Sequence, residues 1–465
     1  MDYDVIILGG GMVGCATAYE LSKYSLNIAL IEKDYDVADD VAFINSSIVY
    51  DGVECKDDLA AKLENEGNKM MSNICEKFHI PFKKTGSLII AKTDEEVLEI
   101  ESMYEKAKKR GINNIELLDK NEIYKVEPNL NIDVKKAIYS KNTASIAPFD
   151  LAIAYAEIAF DNGVNFKLEE VVLDIQKLSK GYRVITNKNK FTCNIVLNTT
   201  PDGGTNANKD SIDSRKGSNI NYFLLEDESM NKCNNIIQKF NYNDAIKRIL
   251  KVPTVEGNTV LAVDSYKNIG YSDTLKYSSL LFNNIKEVDI NTFYNFPYYD
   301  DLVVIDDSLI DRGYVNVVIN HYGQVSMTPY VSQMICETVV NNINCVLKKN
   351  FIDKRREYYK IRELPQDEVK KIIDMDKRYG KIVCMCNKIT EGEIVDSIRR
   401  PLGARTIEGI KRRTGAAFGR CKGGYCLNKL AYILARETDK LMTDIVKDSK
   451  KSNVMPCRIK EFDTM

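Results

Sequence analysis

The chain opens on an apolar run, residues 3–8, too short for a helix and without polar alternation, which predicts a strand buried on both faces. Gly9-Gly10-Gly11-Met12-Val13-Gly14 follows at once, then an apolar-periodic helix from about Cys15 to Ser22. A second buried strand is expected over 27–31, ending in Glu32. Further along, periodicity predicts helices over 62–79, 94–110 (stopped by Gly111) and 152–162 (stopped by Gly163). Residues 86–92 read as a strand, and 171–175 with 182–186 as a hairpin around Lys180-Gly181. The polar stretch from Pro201 to about Ser214 reads as a surface loop, and 215–300 as alternating strand-like and helical runs. Residues 341–361 and 365–379 carry many charges and read as helix plus linker, and a separate small domain is expected from Lys381.

Strand, GxGxxG, helix, strand and acid in that order form a dinucleotide-binding βαβ unit. Gly9 permits the tight turn, Gly11 lets the backbone approach a pyrophosphate, and Gly14 lets helix and strand pack closely. The helix N-terminus offers unpaired N–H groups to the phosphates, and Glu32 is placed to accept from an adenosine ribose. The motif does not separate FAD from NAD. Asn45-Ser46-Ser47, shortly after the acid, is either a polar lining for a long cofactor or a simple helix cap.

Composition narrows the function classes. Lys+Arg 65 against Asp+Glu 67 leaves a net charge of −2, which argues against a nucleic-acid binder or a polybasic membrane-surface protein. No apolar run reaches the length of a transmembrane helix. The start, Met1-Asp2-Tyr3-Asp4, has no basic region, so no signal peptide is expected and the expected location is the cytoplasm. With only two histidines, His79 and His321, a metal site built on several histidines is excluded.

Eight of the 12 cysteines are scattered singly, as small buried hydrophobes are. The other four are grouped as Cys384-Met385-Cys386 and Cys421-Lys422-Gly423-Gly424-Tyr425-Cys426. Four thiolates in two close pairs can hold zinc, a 2Fe–2S cluster or two redox-active disulfides; CxC suits zinc knuckles poorly, and two pairs suit two irons. Gly419, Gly423 and Gly424 leave backbone N–H groups free to point at the sulfurs. Residues 381–426 hold ten Lys/Arg and four Asp/Glu, a net of +6 that favours an anionic cluster. Lys411-Arg412-Arg413 reads as a solvated helix face or a partner-docking patch.

Glu32-Lys33-Asp34-Tyr35-Asp36-Val37-Ala38, then Asn45-Ser46-Ser47-Ile48-Val49-Tyr50-Asp51-Gly52, resembles the start of FAD-dependent oxidoreductases of the D-amino-acid oxidase type. Gly86-Ser87-Leu88-Ile89-Ile90-Ala91, Glu127-Pro128-Asn129-Leu130 and Pro148-Phe149-Asp150 continue the match, which is closest to the anaerobic, clostridial-type glycerol-3-phosphate dehydrogenases. Residues 381–426 are similar to the bacterioferritin-associated-ferredoxin-like 2Fe–2S domain that this family carries at its C-terminus. The resemblance implies an α/β fold: a Rossmann-like FAD-binding domain interleaved with a mixed-sheet substrate domain, plus a small C-terminal helical iron–sulfur domain.

The expected boundaries are 1–80, 146–214 and 301–345 for the FAD domain, and 81–145 and 215–300 for the substrate domain. A helical linker over 346–380, the 2Fe–2S domain over 381–440 and a tail over 441–465 complete the chain. By position Gly9, Gly11, Gly14, Glu32, Asn45, Ser46, Ser47, Val172 (a backbone contact to adenine) and Thr200 (in the turn Asn198-Thr199-Thr200) carry over as FAD contacts. The loop that sets a helix N-terminus against the flavin reads Gly323-Gln324-Val325-Ser326-Met327-Thr328-Pro329, without the family's Pro-Gly; Gly323 and Ser326 carry over. Cys384, Cys386, Cys421 and Cys426 carry over as cluster ligands.

On the substrate side, the family's His-Ala-Gly reads Tyr50-Asp51-Gly52. The stretch where an anion-binding arginine is expected reads Tyr294-Asn295-Phe296-Pro297-Tyr298-Tyr299-Asp300, with no cation. Tyr50 and His321 are the catalytic candidates. His321, the one titratable base near the closing loop, would take a hydroxyl proton during hydride transfer, or else be a satisfied structural residue. The expected activity is FAD-dependent oxidation of a small, glycerol-3-phosphate-like hydroxy compound. Electrons would leave through the 2Fe–2S cluster to a second redox protein or flavoprotein subunit. The alternatives are a diverged electron-transfer subunit without its own alcohol chemistry, and an amine or imino-acid dehydrogenase.

Overall fold

The computed structural model describes residues 1–38, 47–200, 217–225, 233–240, 245–281, 285, 287–299 and 302–455. Two compact units alternate along the sequence: Met1–Asp39, Ala152–Val196 and Cys345–Met465 form the first, Asp40–Leu151 and Leu197–Asn344 the second. Asn45, Ser46 and the expected loop after Pro201 lie outside the described residues.

In the first unit the strands Tyr3–Leu8 and Ile28–Ile31 pair in parallel, Val5 opposite Ile28 and Leu8 opposite Ile31. All four residues of the second strand are buried, which is why it reads without alternation. Across this sheet the strands run Val172–Lys177, Tyr182–Thr186, Lys190–Asn198, Tyr3–Leu8, Ile28–Ile31, Asn165–Lys167. The first three form an antiparallel meander whose first turn needs Gly181 at φ +71°. The helix Met12–Ser22 starts a turn earlier than its apolar period suggests, and Pro148–Asp161 likewise begins at its proline, where a missing N–H costs nothing.

The second unit is built on an eight-stranded mixed sheet in the order Ile290–Tyr299, Gly217–Leu225, Thr259–Ser265, Ile246–Pro253, Ile236–Phe240, Ser87–Ala91, Lys136–Ser140, Ile115–Asp119. Strands dominate the described part of 215–300, with one short α-helix, Tyr271–Ser278. The helices Asp58–Phe78 and Gln324–Ile343 pack closely at Gly67, where a Cβ would run into the Ser326 carbonyl. Gln324–Ile343 stops at Asn344, left-handed at φ +54°, so the helix expected over 341–361 does not form. The linker's α-helix is Gln366–Met375.

The C-terminal part of the first unit is a hairpin, Ile382–Cys384 with Ile389–Thr390, and the helices Glu391–Arg399, Ile407–Thr414 and Leu427–Thr438. Ile394, Ile398, Ile410, Leu430 and Leu434 form their core, and Ile445 joins it. Two buried carboxylates tie these helices to the dinucleotide part of the same unit. Glu157, on Pro148–Asp161, is gripped by Arg355 Nε at 2.8 Å and Arg400 Nε at 3.0 Å. Asp36 is held by both arms of Arg413, at 2.6 and 2.7 Å. Arg412 approaches it to 3.6 Å, and both arginine side chains are 5% exposed. The Lys411-Arg412-Arg413 run is therefore neither a solvated face nor a docking patch: its arginines are spent on a carboxylate far away in sequence.

Burial pushes both carboxyls up, but the facing guanidinium charges outweigh it and hold Asp36 and Glu157 below their usual values of 3.8 and 4.5. Their contribution to stability is therefore present above those values and drains away as pH falls below them. Glu157→Ala, which leaves two buried guanidinium groups facing each other, is expected to destabilise the protein by about 3–5 kcal/mol in urea unfolding at neutral pH. The deficit should shrink on acidification below pH ~4.

Candidate functional site

The dinucleotide residues of the first unit converge. Gly9 sits at φ +98°, a conformation that demands glycine, and its N–H donates to Ile31 O at 2.9 Å. Gly11 caps Met12–Ser22 with no side-chain partner for the helix's first N–H groups, and a Cβ added at Gly11 would meet nothing within 4 Å. An uncapped helix N-terminus facing open space fits a pyrophosphate. Glu32 is fixed beside it: one carboxyl oxygen accepts Gly10 N–H at 2.5 Å, the other Asp34 N–H at 2.9 Å. Burial raises the Glu32 carboxyl's pKa, and those two N–H bonds hold it back. Gly14 is buried within the helix. Val172 begins a strand just after Glu170, whose N–H donates to Glu32 O at 2.9 Å, so that strand and the Glu32 backbone are neighbours.

The other expected cofactor residues lie in the second unit. Ser47 is left-handed at φ +63°, and its carbonyl accepts from Ile146. Thr200 donates its hydroxyl to Asn198 Oδ1 at 2.8 Å, closing the expected polar turn. Gly323 precedes the first residue of Gln324–Ile343, again with no side-chain cap. Ser326 Oγ accepts Tyr50 N–H at 2.7 Å, tying that helix to the segment that replaces His-Ala-Gly.

Around Tyr50 lies a cluster that sequence reading did not assemble. Tyr50, Glu64, Arg248, Asp264, His321 and Tyr322 are all buried. The Arg248 guanidinium, on Ile246–Pro253, lies 3.8 Å from the Tyr322 ring centre and 5.7 Å from that of Tyr50, and its Nε is 3.1 Å from Asp264. The expected stretch at 294–300 carries no cation, and Tyr294 instead stacks on Tyr222; the buried guanidinium beside Tyr50 comes from another strand. No sequence signal marks Arg248: it sits in a strand whose neighbours are apolar or paired.

The cluster is rich in carboxyls. Burial, then the charge of Asp51, pushes Glu54 up to about 7, and Glu54 accepts from Gln238 at 3.1 Å. Burial, then the charge of Glu54, pushes Glu64 well above the usual range. Asp51 is raised by burial, against a hydrogen bond from Ser140. Neither Glu64 oxygen has an N–H or O–H partner; the Cys55 thiol and His321 Nδ1, the latter at 3.5 Å, are polar neighbours. The Tyr50 hydroxyl, Asp51 Oδ1 and Gln238 Oε1 also lack hydrogen-bond partners. Buried polar atoms are nearly always satisfied, so a local concentration of orphans marks where a ligand completes the bonding.

Cys55 Sγ, a Glu64 oxygen and a His321 nitrogen lie within 4.8 Å of one another. This trio is not set up for a metal: burial keeps the Cys55 thiol protonated, and His321 Nδ1 already accepts Gly323 N–H at 3.0 Å. That bond fixes the neutral imidazole with its proton on Nε2, as a donor.

In the C-terminal domain the four grouped cysteines meet, and they pair across the sequence motif. Cys384 lies in hydrogen-bond reach of Cys426, and Cys386 of Cys421. The N–H groups of Tyr425, Gly423 and Gly424 point at Cys421 and hold its thiol below the usual value. Four sulfurs arranged two by two, with backbone donors aimed at them, fit a cluster of two irons. Cys384 and Cys426 are buried, Cys421 is half-buried and Cys386 is exposed.

Comparison with known proteins places this arrangement. Residues 4–267 match the family described as FAD dependent oxidoreductase, and residues 382–436 match the BFD-like [2Fe-2S] binding domain. A glycerol 3-phosphate dehydrogenase of Caloramator mitchellensis is 35% identical over 97% of this chain and 98% of its own. A mitochondrial L-2-hydroxyglutarate dehydrogenase of Caenorhabditis elegans is 37% identical over 31% of this chain and 34% of its own. Among solved structures, the FAD-bound L-alpha-glycerophosphate oxidase of Mycoplasma pneumoniae superposes with a TM-score of 0.64 at 20% identity, covering 77% of this chain and 99% of its own. With its uncapped glycine turn and its paired cysteines, the chain belongs to the FAD-dependent oxidoreductases and is an enzyme of that family that carries FAD and a C-terminal [2Fe–2S] cluster.

Proposed function

We propose that the protein is a cytoplasmic dehydrogenase of a small anionic secondary alcohol, with glycerol 3-phosphate as the first candidate, and that it exports the electrons through its cluster to a separate redox protein. The observation that carries this reading is the buried Arg248 beside the orphaned polar atoms of Tyr50 and Glu64, in a chain similar along its length to a glycerol 3-phosphate dehydrogenase. When bound, FAD supplies the hydride acceptor and the cluster a one-electron outlet. No helix among the described residues is long and apolar enough to cross a membrane.

The chain's own residues divide the remaining work. Arg248 is the cation that the substrate's anionic group meets. Burial, partly opposed by the Arg248 charge, raises the Tyr50 hydroxyl's pKa, so Tyr50 is a hydrogen-bond donor and not a base. Its O–H and the His321 Nε2–H are the donors for the reacting oxygen. Glu54, with a pKa of about 7, is the group poised to take the hydroxyl proton. A substrate with a C–N bond is the second reading, favoured by the four carboxyls Asp51, Glu54, Glu64 and Asp264 around a single arginine.

Under anaerobic conditions, glycerol 3-phosphate is expected to bleach the flavin absorbance of the holoenzyme faster than L-2-hydroxyglutarate or proline does. Faster bleaching by proline would move the assignment to C–N oxidation, and bleaching by dithionite alone would reduce the protein to an electron carrier. In Arg248→Lys, which keeps the charge but loses the planar fork, KM for the anionic substrate should rise roughly ten- to hundredfold, with kcat changed less. Because the raised Glu54 carboxyl is protonated below pH ~7 and cannot then accept a proton, flavin reduction should slow as pH falls through that range. Glu54→Gln should abolish this limb and lower the rate by a factor on the order of 10²–10⁴, read by stopped-flow absorbance.

A further inference from the structure

The sequence assigns residues 381–426 a net charge of +6, and the structure shows how much of it is spent internally. Arg412 and Arg413 hold Asp36, Arg400 holds Glu157, Arg399 pairs with Glu437 and Lys411 with Glu408. Lys381 and Arg399 are exposed beside Glu391 and Glu437, and further exposed cations accompany the cysteine segments. Lys388, Arg420, Lys422 and Lys429 are exposed, and all four lie within three residues of a cluster cysteine. The two cysteine-bearing segments, 384–388 and 418–429, contain no Asp or Glu.

Inside that cationic rim two large side chains stand out from the surface. Met385, between two ligands, is 70% exposed, and Tyr425, next to Cys426, is 80% exposed. The two segments touch: a Cβ added at Gly419 would collide with Cys386, and Cys386 itself is exposed. Exposed apolar side chains bracketing an exposed redox ligand form a small apolar centre with a charged rim. A transient protein interface has the same plan, an aromatic anchor inside a polar, salt-sensitive ring.

We propose that this rim is the docking face for an acidic electron-carrier protein, with Met385 and Tyr425 as its apolar anchors and Lys388, Arg420, Lys422 and Lys429 as its steering charges. The inference rests on the electron-exporting role proposed above and gives it a place and a partner chemistry. Each encounter passes one electron from the reduced cluster to the oxidised iron–sulfur or flavin centre of the carrier. Two encounters return the pair of electrons taken from one substrate molecule. The contact is expected to be small and weak, with an affinity that falls steeply as salt rises.

The test uses the holoprotein and two probes of opposite charge, an acidic ferredoxin and the cationic carrier cytochrome c, with Kd read by titration calorimetry at low and high salt. The ferredoxin should bind at low salt, lose at least about tenfold in affinity at high salt, and bind at least about tenfold more tightly than cytochrome c. Met385→Ala combined with Tyr425→Ala should weaken ferredoxin binding by about tenfold or more. Lys388→Glu combined with Lys422→Glu should do so again, while the visible spectrum of the cluster stays unchanged because no ligand or backbone donor is altered. Equal or tighter binding of cytochrome c, no ferredoxin binding at low salt, or unchanged affinity in the paired variants overturns the proposal. None of these readings involves the alcohol substrate, so failure here is separable from failure of the substrate assignment.

Discussion

One guanidinium buried among four carboxyl groups governs the chemistry available to the second unit. Arg248 carries a single positive charge, and its Nε faces Asp264 at 3.1 Å. Asp51, Glu54 and Glu64 lie in the same low-dielectric interior, where ionising all three would leave an uncompensated charge of prohibitive cost. They keep their protons to higher pH, as the raised values of all three show. Two consequences follow. A protonated Glu64 adds no net charge, so an anion can approach Arg248 without meeting a wall of carboxylates. Glu54, left near neutrality, gains the pKa that suits a proton acceptor at physiological pH.

The same constraint runs with opposite sign in the C-terminal domain. Its surplus cations would repel one another if they were left together, and carboxylates from elsewhere in the first unit absorb much of that surplus. Asp36, four residues beyond Glu32, and Glu157, in the helix Pro148–Asp161, take up Arg413 and Arg400. The turn that follows Glu32 and the last helices of the chain are thereby one ionic structure, and removing either part strands buried charge in the other. Lys388, Lys422 and Lys429 stand exposed within three residues of the sulfur ligands, where positive charge favours an electron-rich cluster.

The sequence makes local chemistry legible and hides long-range pairing. Gly9, Gly11, Glu32 and the grouped cysteines are readable because their roles depend on spacing within a few residues of a turn or a strand end. The stretch 294–299, on an edge strand of the eight-stranded sheet, offers no cation, and the buried Arg248 lies on Ile246–Pro253 in its interior. Nothing in that strand's pattern separates a buried arginine from a solvated one. Arg412 and Arg413 misled for the same reason, since Asp36 is 377 positions from Arg413 and no periodicity connects them. Charge density over 341–361 suggested a helix, but a left-handed Asn344 ends the preceding one, and the segment that follows gains its order from Asn162 and Glu157. For His321 the sequence leaves a base and a satisfied structural residue open, and no periodicity reveals the Gly323 N–H that Nδ1 accepts at 3.0 Å.

The cysteine pairing carries the last step. Read along the chain, the ligands fall into a CxC pair and a CxxxxC pair; in space, each half of one lies against a half of the other. A cluster seated there would draw its sulfurs from two segments, Cys384 and Cys386 at the hairpin Ile382–Cys384/Ile389–Thr390 and Cys421 and Cys426 in the loop before Leu427–Thr438. It would then join those two segments across 34 intervening residues that include two helices and much of the domain's core. Loop closure on that scale is what metal sites stabilise well. The cluster thus acts as a clamp as well as a redox centre. Cys386, the exposed member of the four, is the point where that clamp reaches the surface.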